Sequence, residues 1–167
     1  MSFSVTAVGV PDNAVTSRKI APNEVASEDL AVNTVQYAEV EISVAEILDL
    51  FAAPKTLVAA PGAGKVLEFI SLLLAYDWVS VAYTPGSAGN LQVKYTDGDG
   101  AAASTTEAVT GFLNLEADAL RTLDKLELTT TPVANAALVL TVATASPTDG
   151  DSPIHAKVAY RVHATGL

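Results

Sequence analysis

Cysteine is absent from all 167 residues, so no disulfide framework and no thiolate metal site is available. Histidine occurs only twice, which leaves little from which to assemble an imidazole-centred catalytic or metal site. Aromatic residues make up 6% and charged residues 17%, against 50% hydrophobic. The charge is lopsided, with nine Lys and Arg against nineteen Asp and Glu and a net charge of −10. Phosphate backbones are gripped by clustered Lys and Arg, so nucleic acid is not an expected partner. The longest uncharged apolar run, Phe69 to Tyr76, falls far short of the roughly 20 residues a membrane helix needs. A membrane partner is therefore not expected either. The opening MSFSVTAVGV has no basic residue ahead of its apolar ones, which reads against a secretory signal and for a soluble chain made in a cytoplasm.

What remains is a chain rich in Ala, Val, Leu and Thr, punctuated by eight Pro and ten Gly. β-branched residues between frequent turn formers favour many short strands over a helical bundle. The length suits one compact domain plus an appendage.

The appendage is the first forty residues. Stacked in tens, NAVTSRKIAP, NEVASEDLAV and NTVQYAEVEI repeat Asn at 13, 23 and 33 and Val at 15, 25 and 35. An aliphatic residue falls midway in each unit, so Val5, Val10, Val15, Ile20, Val25, Leu30, Val35 and Val40 form a ladder with a step of five. A step of five spirals around a helix and alternates faces on a strand, so it fits neither regular element. Pro11 and Pro22 lack the amide proton of a continuous ladder, and Ser17 and Ser27 sit where they can cap single turns. An arm of this kind cannot bury its own apolar residues and is expected to lie against a partner, a copy or its own body. The decad NAVTSRKIA resembles the repeats of phage tail-fibre and other virion proteins, although it lacks their Gly before each Val.

Residues 41–167 read as a β-sandwich or jelly-roll-like antiparallel domain with one short helix. Ser43-Val44-Ala45-Glu46 is a capping box opening a helix over Val44, Ile47, Leu48 and Phe51 that stops before Pro54. Strands are expected at 56–60, 66–76, 79–83, 91–95, 125–131, 138–145 and 154–163. Asp97-Gly98-Asp99-Gly100 is a turn signature. In the last strand Ile154, Ala156, Val158, Tyr160 and Val162 share one face, and His155, Lys157, Arg161 and His163 share the other. That second face is the most basic stripe in an acidic chain, and it reads as either a solvated face or a partner-binding one.

ISVAEILDLFAAPKTLVAAPGAGKVLEF resembles the opening of a β-domain found in head-decoration, head-fibre and other structural proteins of tailed phages. Short helix, Pro, strand, Pro-Gly turn and long strand come in the same order. The resemblance implies a virion component made in a host cytoplasm and carried on the outer capsid surface. It further implies the major capsid protein as partner and a homo-oligomer, trimer or dimer. It supplies no catalytic residue, and no enzyme activity is expected. The alternative it implies is a tail- or head-fibre component whose β-domain meets a receptor or glycan.

Other candidate sites are weaker. Pro61-Gly62-Ala63-Gly64-Lys65 invites a phosphate-loop reading, but Ala59 stands where the first Gly belongs and Val66 where Ser or Thr would bind Mg²⁺. Asp97, Asp99, Asp149 and Asp151 suggest calcium but lack the spacing of an EF-hand. Glu116 and Asp118 read as polar loop residues. His155 and His163 are separated by roughly 26 Å along a strand and cannot share a metal. Tyr76 and Trp78 read as core, with an interface anchor as the other option. No cofactor or metal is expected.

Overall fold

The computed structural model describes residues 34–126 and 133–165. Eight substantial strands run in chain order as β1 (Val35–Ile42), β2 (Lys55–Val58), β3 (Lys65–Tyr76), β5 (Asn90–Tyr95), β6 (Ala102–Ala108), β7 (Ala119–Asp124), β8 (Leu138–Val142) and β10 (Ile154–Ala164). Two-residue strands β4 (Tyr83–Thr84) and β9 (Thr148–Asp149) pair with each other. The one helix among the described residues, α1 (Val44–Leu48), starts at the capping box: Glu46 Oε2 accepts from the Ser43 amide at 2.9 Å and from its hydroxyl at 3.0 Å. Ile47 is its one fully buried residue, so the helix is a plug and not a layer.

The substantial strands pair first with last (β1 on β10), second with seventh (β2 on β8), third with sixth (β3 on β7) and fourth with fifth (β5 on β6). These strands thus form one long antiparallel hairpin, rolled up by two further pairings, β10 on β3 and β8 on β5. The result is two four-stranded sheets, β1-β10-β3-β7 and β2-β8-β5-β6. This is the double-Greek-key order of a jelly roll.

Between the sheets lies one apolar core, including Leu72, Leu74, Leu91, Val93, Leu123, Leu138, Leu140 and Val158. Strand β3 reaches it in two phases. Leu67 and Phe69 are buried before a register shift, and Leu72, Leu74 and Tyr76 after it, while Ala159 pairs with Ser71 and Tyr160 with Phe69. Ile70 is the extra residue of a β-bulge, which switches which parity faces inward and adds local twist. Buried hydrogen bonds stitch polar groups into this interior. Tyr95 Oη donates to the Leu67 carbonyl at 2.8 Å, and the Val93 amide donates to Ser104 Oγ at 2.8 Å.

The expected elements form with several differences. Residues 35–40, read as the end of the arm, are strand β1, because Gln36, Ala38, Val40 and Ile42 turn inward. Val5, Val10, Val15, Ile20, Val25 and Leu30 lie outside the described residues. The expected strand at 79–83 is a loop up to Tyr83, and residues 127–131 of another lie outside the described residues. Strands β6 and β7 were not foreseen in AASTTEA and ALRTLD, which offer few large apolar residues to the core.

Candidate interaction surface

Strand direction places four loops at the same end of the barrel: residues 43–54, 77–89, 109–118 and 143–153. They are bonded to one another. Asp151 Oδ1 accepts from the Ser80 amide at 3.1 Å and the Val81 amide at 2.8 Å, and its Oδ2 accepts from the Ser80 hydroxyl at 2.5 Å. The Ser80 hydroxyl, helped by the Val81 amide, holds the Asp151 carboxyl below its ordinary pKa. Ser152 Oγ accepts from the Val79 amide at 3.0 Å and Asp118 Oδ1 from the Trp78 amide at 2.9 Å. Ser146 Oγ accepts from the Phe51 amide at 2.9 Å, tying the helical loop to 143–153. Beneath them Tyr76 stacks at an angle on Trp78, Tyr83 and Phe112, with ring centroids 5.9 to 6.5 Å apart. Tyr83 Oη donates to the Ser152 carbonyl at 2.8 Å, and burial pushes its own pKa up.

This braced end displays apolar side chains. Leu48, Phe51, Val79 and Val81 are exposed in its loops, and Leu120 is 63% exposed where β7 begins. Apolar side chains held outward on a backbone fixed by side-chain hydroxyls and carboxylates lose little entropy on docking, which is the arrangement of a preorganised binding surface. Trp78 and Tyr76 serve here as foundation: Tyr76 is core and Trp78 packs partly buried against it.

The basic stripe of β10 lies on the outer face of the first sheet, and its cations are matched. Lys157 Nζ donates to Glu39 Oε1 at 2.7 Å across to β1, which raises the lysine pKa and lowers that of Glu39. Arg161 and His163 both meet Glu68 Oε2, at 3.2 and 2.9 Å, with Lys125 3.8 Å from Oε1. The His163 bond leads in holding the Glu68 carboxyl low, and Arg161 reinforces it. His155 Nε2 lies 3.8 Å from Asp77 Oδ2. The stripe is therefore a cross-strand polar lattice in which Lys157 and Arg161 each meet a carboxylate, Glu39 and Glu68.

The registers arrange this outer face in rows: Glu41, His155, Ala75 and Leu120, then Glu39, Lys157, Leu73 and Thr122. Ala75 is small between larger neighbours. It helps floor two adjoining depressions of about 530 Å³ and 320 Å³ that also share His155.

The remaining candidates are turns. Lys65 N–H donates to the Gly62 carbonyl at 3.3 Å and the segment enters strand β3, so the phosphate-loop resemblance is a β-turn. Asp97 Oδ1 accepts from the Asp99 amide at 3.0 Å inside its own turn. Among the described residues no three His, Asp or Glu side chains converge on a metal position, and no helix is long and apolar enough to cross a membrane. Sequence reasoning missed the braced loop end. Its signals, Asp151-Ser152 against Ser80, are short polar residues 70 or so apart in sequence, which no local pattern connects.

No family model matches the chain, and no curated protein matches it. Among solved structures, the chain is similar to one in the "Cyanophage Pam1 capsid asymmetric unit", with 16% identity over 89% of this chain and 97% of that chain, and a TM-score of 0.44.

Proposed function

We propose that this protein is a phage capsid decoration, or cement, protein. In this reading it binds the assembled shell of major capsid protein on its outer surface and stabilises it through the N-terminal arm and the β-domain, as a dimer or trimer. The observation that carries the reading is the braced loop end of an eight-stranded jelly roll, which exposes Leu48, Phe51, Val79, Val81 and Leu120 on a hydrogen-bonded frame. Jelly rolls serve in viral capsids, lectins and cupins, so the fold alone does not choose; the apolar display and the aliphatic ladder of the arm favour adhesion to protein. A ligand that binds only the assembled shell stabilises it by mass action, with no catalytic step.

The test uses shells stripped of the protein and reconstituted with the full chain or with a Val15→Ser, Ile20→Ser, Val25→Ser variant. Each aliphatic side chain is worth about 1.5 to 3 kcal/mol when fully buried. Ordering the arm costs about 1 to 2 kcal/mol per residue, so single changes weaken binding modestly and three together release it. The isolated variant should keep its melting temperature while the shells lose theirs. Shells that stay fully stabilised overturn the strap mechanism. An isolated variant that loses its oligomeric state favours the fibre reading, to which the open depression beside Asp77, Asp118, Leu120 and His155 would offer a glycan-sized site.

A further inference from the structure

Strand β1 has a neighbour on one side only among the described residues. It pairs with β10 along its whole length, from Val35 with Arg161 to Ile42 with Ile154, and no bulge interrupts it. Its other side turns the N–H and C=O groups of alternate residues outward. Proteins ordinarily guard such an edge with charged side chains, which here are only Glu39 and Glu41, or with proline, a bulge, a very short strand or an inward charge. VQYAEVEI has no proline, spans 8 residues and turns only Gln36, Ala38, Val40 and Ile42 inward. The opposite side of the sandwich is closed differently, by the bridge between Ser104 and Lys125. The second sheet's edge at β2 is only 4 residues long and carries a register shift.

We propose that β1 is a strand-addition site for an extended segment of another protein in which Lys or Arg alternates with aliphatic residues. Main-chain bonds to an open edge supply affinity without regard to sequence, and the alternate side chains supply choice. On the outer face the added strand would run beside Tyr37, Glu39 and Glu41, all exposed. Glu39 is already engaged by Lys157 at 2.7 Å, whereas Glu41 makes no hydrogen bond or ion pair among the described residues. The smaller depression opens beside Glu41, with Leu73 and Ala75 on its lining. An added strand would lie on the far side of β1 from that depression, so a Lys or Arg on it meets Glu41 directly across the strand pair. A second copy of this chain fits less well, because pairing β1 with β1 gathers four glutamates onto one face of a dimer whose subunits each carry −10. The inference rests on the decoration reading for where such a strand comes from; the chemistry of the edge is independent of it.

Amide hydrogen exchange on the full chain tests the idea, with an acetylated ten-residue peptide alternating Val and Lys as probe and a Val and Glu peptide as control. The lysine peptide should slow exchange of alternate amides within residues 35–42, and added salt should weaken it. Glu41→Lys should lower its affinity about ten-fold or more, a difference near 1.4 kcal/mol. Glu116→Lys, the same charge change in an exposed loop, should leave it intact. Absence of protection at β1, or equal protection by the glutamate peptide, overturns the proposal. So does concentration-dependent protection of β1 without peptide, which would make a second copy the occupant. Shell binding that persists while the edge fails sinks this inference alone; a protected edge with no shell binding sinks the decoration reading alone.

Discussion

Gly150 sets the geometry of the braced loop end, and replacing it with alanine should cost more than its backbone angle explains. Its φ is +81°, in the left-handed region, and a Cβ there would run into the Cγ, Cδ1 and Cε1 atoms of Tyr83. Tyr83 cannot retreat easily. It is 1% exposed, and its hydroxyl is bonded to the Ser152 carbonyl at 2.8 Å. Left-handed strain costs about 1 to 2 kcal/mol and overpacking a closed site about 1 to 3 kcal/mol, so Gly150→Ala should lose about 2 to 5 kcal/mol. Gly62 supplies the control: its φ is +95°, but nothing lies within 4 Å of its would-be Cβ. Gly62→Ala should lose only the strain, about 1 to 2 kcal/mol. Urea unfolding reads both, and with a slope of about 2 kcal/mol/M the midpoints should fall by about 1 to 2.5 M and about 0.5 to 1 M. Equal losses in the two variants would refute the contact with Tyr83 as the source of the difference.

Glu68 should carry part of the acid sensitivity. Its carboxyl is held below its ordinary 4.5, first by His163 and then by Arg161, so the stability it adds is whole above that value and drains away as pH falls through the lower folded value. Glu68→Gln should therefore melt below the parent at pH 7, by up to about 1 kcal/mol for a partly exposed cluster, and the gap should shrink steadily in acid. A gap that widens in acid would contradict the ion-pair lattice. Lys65→Ala should leave nucleotide binding undetectable in both proteins by calorimetry, because Lys65 closes a turn onto Gly62 and leads into a strand; saturable ATP binding abolished by the change would revive the phosphate-loop reading.

Much of the β-domain was legible because its strands are written in alternating apolar residues. Ile154 to Val158 bury every second side chain, and Leu91, Val93 and Tyr95 do the same. Strand β3 was legible as a strand but not in its facing, since the shift from Leu67 and Phe69 to Leu72 and Leu74 depends on one extra residue against β10. Strand β7 was hidden because only Leu123 of its six residues is buried. Strand β1 was hidden for another reason: Val35 and Val40 continue the five-residue ladder, so a period that marks the arm masked the period of two that marks the sheet. The His155–His163 stripe was correctly placed on one face, yet its chemistry was set by Glu39 and Glu68 of other strands and by Asp77 of the loop after β3. The loop end was illegible because Ser80, Asp118 and Asp151 acquire their roles only when distant loops meet.

The position of β10 between β1 and β3 also imposes a schedule on the cell. Neither of those strands has its central partner until Ile154–Ala164 has been made. Roughly 120 residues separate β1 from β10, and translation at about 5 to 20 residues per second leaves an interval of about 6 to 24 s. During it two apolar strands are out with their edges unmatched, the condition in which neighbouring nascent chains cross-pair. A ribosome that stalls or terminates before Ile154 therefore does not yield a shorter working protein; it yields a sheet with its middle missing, and a substrate for chaperones and proteases.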